Sequence, residues 1–360
     1  MTGLERIRGI LRREPVDRIG TFEHFWEDTL RKWRAEKQLS PRAVPENHFG
    51  LDLRTAWAFN YIADLDFKEE ILEETEETKL VRNGNGAVLR WHKQHASTPE
   101  HVDFLVKDRA GWEAHTKPRL LDQSSYRRRI DFEMYRRTRA ACKRRKQFFC
   151  WSGLNVFECM HPVAGHEYLL IGMALDPDWV KDMCAVYSTL LINLQEILFA
   201  QEGKPDGIWY YEDMGFKERP FFSPAMYSEI IQPAHRRTFG CAHALGLPVI
   251  VHSCGYVAPL IPGMIEAGMD CLQAMEVKAG MDPCALKHDY GDRIAFMGGF
   301  DVRHLISNDR ARIAAALQRL LPVMMRTSGY ILHSDHSIPD QVEYETYRYF
   351  LERGLEMGRY

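Results

Sequence analysis

The sequence LPVIVHSCG, residues 247–255, carries most of the fold prediction. Its apolar run, rich in β-branched residues, predicts a buried strand, and the strand runs directly into His252 and Cys254. An imidazole and a thiol one residue apart can bind the same zinc ion if the fold supplies one or two further ligands. The pair alone is a weak signal. It gains weight because other predicted strands also end in polar or ionisable residues.

The same pattern, a short apolar run followed by a helix, repeats on both sides of this strand. Further strands are predicted at residues 18–22, 55–62, 148–151, 207–211, 270–275, 293–297 and 329–332. Helices are predicted between them, one opened by Asp176-Pro177 and another capped by Ser223 and stopped at Gly246. This alternation implies parallel strands, and about eight of them suit a closed (β/α)8 TIM barrel. The rival, an open doubly wound sheet, would favour a glycine-rich turn after its first strand, and the sequence has none there.

Two segments lie outside the barrel pattern. Residues 2–13 predict an amphipathic N-terminal helix that Pro15 stops. In residues 79–91, alternating residues flank two Asn-Gly dipeptides, which predicts a β-hairpin inserted into the barrel. No stretch has the composition of a linker, so residues 1–360 are predicted to form a single barrel domain.

Residues 122–147 are rich in Arg and Lys and carry an imperfect apolar stripe. The pattern favours a solvated helix. The alternative is a docking surface for an acidic partner protein or a phosphate tail.

Composition narrows the class of protein. The chain has 360 residues, 45% of them hydrophobic, and a formal net charge of −3, which gives no bias toward nucleic acid or anionic lipid. No apolar run approaches the roughly 20 residues of a membrane span, and the N-terminus is too charged for a signal peptide. We therefore expect a cytoplasmic protein whose eight Cys are free thiols. Barrels of this size often pair, so a homodimer is compatible with the sequence.

In a (β/α)8 barrel, the carboxyl ends of all strands converge on one mouth. Residues distant in sequence would therefore meet there. Those at the predicted strand ends are His24, Asp213, His252, Cys254, Glu276, Asp301, Asp335 and His336. A single His or Asp at a strand end is often only a helix cap or a loop hydrogen-bonder, which is the simpler interpretation of Asp301 and His24. Glu276 could be a surface partner of Lys278, and Cys254 could be an inert buried thiol.

Zinc favours about four ligands of these types. The predicted set is His252, Cys254, His336 and an exchangeable Glu276, and Asp213 would orient or protonate the substrate. Zinc in such a site can activate a thiol, or it can polarise an ether or alcohol oxygen. The competing chemistry needs no metal, because Asp213 and the histidines can steer protonation of a carbanion after loss of carbon dioxide.

Several motifs together resemble the uroporphyrinogen decarboxylase superfamily, and the similarity covers nearly the whole chain. They are YEDMGFK (211–217), PFFSP (220–224), HSCG (252–255), EVKAGMD (276–282), MGGFD (297–301) and DHSIP (335–339). The resemblance implies a (β/α) barrel with its active site at the carboxyl-terminal mouth.

The superfamily contains at least two chemistries. True uroporphyrinogen decarboxylases carry a basic Arg-Gln-Ala-Gly-Arg stretch that grips the substrate carboxylates, whereas residues 21–27 here, TFEHFWE, are acidic and aromatic. The sequence is more similar to the zinc- and corrinoid-dependent methyltransferases, whose His-x-Cys signature matches His252 and Cys254. The third zinc ligand of that branch is usually Cys, and here it falls at His336.

This resemblance implies a methyltransferase with zinc as its Lewis acid. Its substrate would be a small methoxy, methylamine or thiol compound. The corrinoid, as methylcobalamin, would be carried by a separate partner protein, because nothing here resembles the Asp-x-His-x-x-Gly cobalamin-binding motif. Two alternatives remain open: a metal-independent decarboxylase or lyase acting on a carboxylic acid, and a non-catalytic corrinoid or tetrapyrrole carrier.

Overall fold

The strands of the protein pair mainly into one parallel sheet. The structure is a computed structural model that describes residues 1–93 and 98–360. Its strands are β1 (Gly20–Thr21), β2 (Leu53–Trp57), β3 (Glu70–Glu74), β4 (Thr78–Arg82), β5 (Val88–His92), β6 (Glu100–Asp103), β7 (Phe148–Leu154), β8 (Gly207–Tyr211), β9 (Gly215–Phe216), β10 (Arg219–Pro220), β11 (Val249–Ser253), β12 (Cys271–Ala274), β13 (Ala295–Gly298) and β14 (Tyr330–Leu332). Eight of them form a parallel sheet in the order β1-β14-β13-β12-β11-β8-β7-β2. This nearly closed barrel confirms the predicted (β/α)8 fold class.

Helices follow the barrel strands along the chain and form the outer layer. They are α1 (Gly3–Leu11), α2 (Glu27–Ala35), α3 (Pro45–His48), α4 (Arg109–Gly111), α5 (Lys117–Leu121), α6 (Phe132–Arg145), α7 (Val156–Leu175), α8 (Pro177–Glu202), α9 (Pro224–Met226), α10 (Gln232–Ala244), α11 (Ile261–Ala267), α12 (Pro283–Tyr290), α13 (Val302–Ile306), α14 (Arg310–Met324) and α15 (Tyr344–Met357). Short 3-10 or π-helical turns lie at Trp112–Thr116, Gln123–Arg129, Tyr227–Ile231, Ala258–Leu260 and Val277–Ala279. The predicted N-terminal helix is α1. Thr2 caps its N-terminus and forms a capping box with Glu5.

The barrel closes between β1 and β2 through Asp52, which directly precedes β2. The Asp52 amide N–H donates to the Thr21 carbonyl at 3.0 Å. Its carboxylate accepts from the Thr21 amide N–H at 3.1 Å. The same carboxylate pairs with Arg6 at 2.6 Å and with Arg18 at 2.8 Å. One buried side chain therefore links the two ends of the sheet to the N-terminal helix.

The insertion sheet, β3–β4–β5–β6, is antiparallel and is separate from the barrel sheet. Strands β4 and β5 are the predicted hairpin, and the Asn83 side chain accepts from the backbone N–H groups of Asn85 and Ala87 in its turn. The two outer strands were not predicted, because β3 is exposed at every residue and lacks alternation.

The basic segment 122–147 is two elements rather than one helix: the 3-10 turn Gln123–Arg129 and then α6. Arg129 is buried and donates to the backbone carbonyls of Ile62 and Ala63, so the prediction of a solvated helix is wrong for this residue. Arg128 pairs with Asp66, and Arg136 with Glu202.

Helix α8 is, by length and composition, long and apolar enough to cross a membrane. No such run was predicted from the sequence, because uncharged polar residues such as Ser188 and Asn193 interrupt the apolar residues of α8. In the structure, 61% of its most apolar window is buried inside the protein. A single helix of this kind is weak evidence for a membrane span, because core helices pass the same test.

Candidate active site at the barrel mouth

Three potential metal ligands meet where strands β8 and β11 end. The register pairs His252 with Tyr211, so Asp213 and Cys254 both lie just beyond neighbouring strands. One ligand atom from each of Asp213, His252 and Cys254 lies within 4.8 Å of the other two. The Nε2 atom of His252 is 3.3 Å from the Cys254 sulfur and 3.3 Å from the Asp213 carboxylate. Cys254 thus faces a polar cluster and is not an inert core thiol.

The orientation of His252 is set from the neighbouring strand. Gln273 on β12 is its partner in the parallel register, and the Gln273 side-chain oxygen accepts a hydrogen bond from Nδ1 of His252. With Nδ1 occupied, Nε2 is the nitrogen that faces Cys254 and Asp213. A fixed ring with one nitrogen presented is the arrangement that metal-binding histidines require.

The electrostatics of the cluster favour a positive charge at its centre. Burial opposes the charged form of His252, but Cys254 and Asp213 outweigh it and raise the pKa of the imidazole well above its ordinary value. Burial also opposes the charged form of Asp213, yet the neighbouring His252 leaves the pKa of this carboxyl lowered. For Cys254, burial prevails and the thiol pKa is raised. A proton held between a carboxylate and a sulfur occupies a place that a cation can take.

The cluster opens into a cavity of about 330 Å³ at the carboxyl ends of the strands. Aromatic and imidazole rings dominate its wall, which includes His24, Trp26, Tyr211, His333 and His336. The Tyr211 hydroxyl lies 3.0 Å from Nε2 of His24. Burial raises the pKa of Tyr211 to about 12, and burial near His333 and His252 lowers the pKa of His24. Both side chains are therefore neutral hydrogen-bonding groups near pH 7.

A larger cavity of about 520 Å³ lies at the opposite end of the barrel, beside Arg8, Lys204, Asp206 and Asp270. Asp206 and Asp270 directly precede β8 and β12, so this cavity is at the amino ends of the strands. Barrel active sites are built at the carboxyl ends, so the smaller cavity is the candidate active site.

Glu276, predicted as the fourth ligand, is engaged elsewhere. One of its carboxylate oxygens accepts from the Gly255 amide N–H at 2.7 Å, and the other lies 3.2 Å from the Lys278 amine. It therefore holds the loop that carries Cys254. The pairing with Lys278 is the simpler interpretation that the sequence allowed for Glu276.

His336 lines the cavity, but it is not part of the three-residue ligand group. Its role as a ligand stays a prediction. Asp335 accepts from the backbone N–H groups of Val277 and Val302, which joins two mouth loops. Asp301 caps α13 and pairs with Arg303.

A buried polar group at the inner wall of the cavity, made by Gln273 and His333 with Glu23 beside them, was not predicted from the sequence. Nε2 of His333 lies 3.4 Å from both the Glu23 carboxylate and the Gln273 side-chain nitrogen. Burial raises the pKa of Glu23 to about 8 and lowers the pKa of His333 to about 3, so both are neutral near pH 7. The available signal was Gln273 itself, a polar residue inside an apolar strand.

Comparison with known proteins identifies the family. The sequence model described as uroporphyrinogen decarboxylase (URO-D) matches residues 149–356, which is more than half of the chain. The protein therefore belongs to the uroporphyrinogen decarboxylase family, as the motifs predicted. A search of the curated proteins finds no significant match.

Comparison with solved structures bears on the fold. A methyltransferase from Methanosarcina mazei superposes with a TM-score of 0.71 over 99% of both chains, at 14% sequence identity. At 14% sequence identity, this structural similarity is evidence for a shared fold and not for a shared reaction. A Cellulomonas fimi endo-beta-1,4-mannanase double mutant reaches a TM-score of only 0.40 at 12% identity, over 66% of this chain and 60% of that one.

Proposed function

We propose that the protein is a methyltransferase that moves a methyl group between a small substrate and a corrinoid carried by a separate protein. The observation that carries this proposal is the meeting of Asp213, His252 and Cys254, whose ligand atoms lie within 4.8 Å of one another at the cavity. The barrel shared with a methyltransferase from Methanosarcina mazei supports it.

The three side chains fit zinc. A thiolate, an imidazole and a carboxylate are all zinc ligands, and three protein ligands with one open position are typical of catalytic zinc sites. Gln273 supplies the hydrogen bond that fixes the imidazole. We therefore assign Asp213, His252 and Cys254 as the zinc ligands. In place of Glu276, which Gly255 and Lys278 already engage, Asp213 provides the carboxylate. Bound zinc would supply Lewis acidity to the substrate atom that gains or loses the methyl group.

The remaining wall residues bind and orient the substrate. Tyr211 and His24 offer neutral hydrogen-bonding groups, and Trp26 and His336 form a ring pair with centroids 6.1 Å apart. A cavity of about 330 Å³ suits a small methoxy, methylamine or thiol compound. A corrinoid ring is much larger than such compounds, so it would approach from the mouth on its own carrier protein.

A decarboxylase is the second candidate, because the proton on His252 between Asp213 and Cys254 is suited to protonating a carbanion. Its acid substrate would need a cationic partner other than His252, which already faces Asp213 and Cys254. In residues 1–93 and 98–360, however, neither Lys nor Arg lines the cavity. We therefore favour methyl transfer.

The test measures zinc and methyl transfer in the same samples. The purified protein should contain zinc, and with cob(I)alamin and a suitable methyl donor it should produce the methylcobalamin spectrum. Cys254→Ser should lose at least tenfold in zinc affinity and in rate. Cys241→Ser, a change on α10, is the matched control and should change neither. Full activity of the Cys254→Ser variant without zinc would refute the proposal.

A further inference from the structure

A second cluster of metal-binding side chains lies between the insertion sheet and the barrel. His101 is on β6, and His161 and His166 are on α7. One ring nitrogen from each of the three lies within 4.8 Å of the other two. The rings of His161 and His166 stack with centroids 4.4 Å apart, and the ring of His101 lies 6.0 and 5.9 Å from them. Three imidazoles at this spacing are a common ligand set for zinc and neighbouring transition metals.

A break in α7 brings two of these rings together. Residues five positions apart point about 140° away from each other around a regular α-helix. Here Gly165 has φ +67° and ψ +162°, which interrupts the helix between His161 and His166. A Cβ atom on Gly165 would meet the ring of Phe104 at 2.4 Å, so this glycine also allows the insertion to approach.

His161 is already held as a metal-binding histidine would be. Its Nε2 atom lies 3.0 Å from the Glu158 carboxylate. Its Nδ1 atom is buried, and it has no hydrogen-bond partner among the residues that the structure describes. A carboxylate on one ring nitrogen and a metal on the other is the usual arrangement around ligating histidines. The unpartnered Nδ1 is therefore an independent sign that a ligand is missing here.

We propose that His101, His161 and His166 bind a divalent transition metal such as Zn²⁺, which joins the insertion sheet to α7. The donor set is all nitrogen, so this site differs in chemistry from the sulfur-containing group at Asp213, His252 and Cys254. It does not depend on the proposed methyl transfer.

The proposed metal would affect the active site through two contacts. The Glu158 carboxylate, beside His161, also accepts from the Asp213 amide N–H at 3.2 Å. Thr98, three residues before His101, lines the active-site cavity. Binding at the histidine cluster would therefore fix one wall of that cavity, which makes the three histidines positioning residues.

The experiment counts metal in the whole protein after chelator treatment and reconstitution with Zn²⁺ alone. Wild type should bind two Zn²⁺ per chain, and Cys254→Ser should retain one at the histidine cluster. The double variant His101→Gln/His166→Gln should lose that one and keep the sulfur-containing site. His288→Gln is the matched control, because this side chain is 80% exposed and away from the cluster.

Two further measurements distinguish the proposed histidine site from the proposed zinc site at Cys254. X-ray absorption of the Zn²⁺-loaded Cys254→Ser protein should show nitrogen and oxygen neighbours only. In wild type, Zn²⁺ should slow amide hydrogen exchange in Glu100–Asp103 and Val156–Leu175, and the histidine variants should lose this effect. If the active-site proposal alone fails, Cys254→Ser leaves zinc binding unchanged while the histidine variants abolish it. If Cys254→Ser binds no zinc, or the double variant binds as much as wild type, the histidine site does not exist.

Discussion

Glu23 is a buried carboxylic acid behind the candidate active site. It accepts from the Ser334 hydroxyl at 2.8 Å and from the Ser334 amide N–H at 3.2 Å. Burial nevertheless dominates and raises its pKa from 4.5 to about 8. Because the folded protein retains a proton that an unfolded chain releases, the contribution of Glu23 is fully present below pH 4.5. It is lost as the pH rises to about 8.

The first prediction is that the contribution of Glu23 makes the protein less stable as the pH rises. Between pH 4.5 and 8, Glu23 should lower the free energy of unfolding by up to about 1.4 kcal/mol per pH unit. Glu23→Gln does not titrate and should flatten that part of the stability profile, as measured by urea unfolding at several pH values. Glu356→Gln, an exposed control, should retain the wild-type slope. Parallel profiles for Glu23→Gln and wild type would mean that Glu23 is ionised in the folded state.

The second prediction concerns Gln273, which holds Nδ1 of His252. Gln273→Leu should weaken Zn²⁺ binding by about 10- to 100-fold, because the imidazole loses its orienting partner. Competition with a chromophoric chelator measures this in a His101→Gln/His166→Gln background, which removes the second proposed metal site. Gln195→Leu is the control: this glutamine is also buried, but it bonds to Tyr210. Equal zinc affinity in both variants would contradict the assigned role.

At the residue scale, position at a strand end accounts for the meeting of three side chains but not for the direction of every one. His252 lies at the end of β11, Cys254 and Asp213 lie just beyond β11 and β8, and the parallel register of these two strands places the three together. The orientation of the Glu276 side chain depends on its contacts with the Gly255 N–H and with Lys278. These contacts form only in the folded loop, so the sequence does not reveal them.

Asp52 shows how one buried carboxylate with two arginine partners joins β1 and β2, which do not pair as neighbouring strands of the sheet. Asp52→Ala would remove the partner that Arg6 and Arg18 share, so that Arg6 is left with its ion pair to Asp17, and it would weaken the contact between β1 and β2. We expect a loss of about 3–5 kcal/mol in the free energy of unfolding, measured by urea denaturation.

The matched control for Asp52→Ala is Glu345→Ala, which breaks an exposed pair with Arg348. This change should cost less than about 1 kcal/mol, because surface ion pairs contribute little. A similarly small loss for Asp52→Ala would show that the backbone hydrogen bond from Asp52 to Thr21, and not the ion pairs, holds β1 against β2.

At the element scale, strands with continuous apolar runs were predictable, and elements that depend on tertiary contacts were not. Strands β8 and β11 match their predicted positions because burial on both faces leaves a clear apolar run. Helix α7 was missed because Pro162 and Gly165 interrupt its pattern. His161 and His166 were missed with it.

For the whole molecule, the decisive contact is the one between the insertion and the barrel at Gly165. Gly165→Ala would place a Cβ 2.4 Å from the Phe104 ring at a backbone φ of +67°. We expect a loss of about 1–3 kcal/mol in the free energy of unfolding, together with faster hydrogen exchange in the insertion sheet. Gly240→Ala is the control, because its Cβ would meet nothing within 4 Å, and in helix α10 it should stabilise the protein by up to about 1 kcal/mol. If Gly165→Ala were instead as well tolerated as Gly240→Ala, the insertion would not be seated against α7, and Thr98 would not be held at the wall of the cavity.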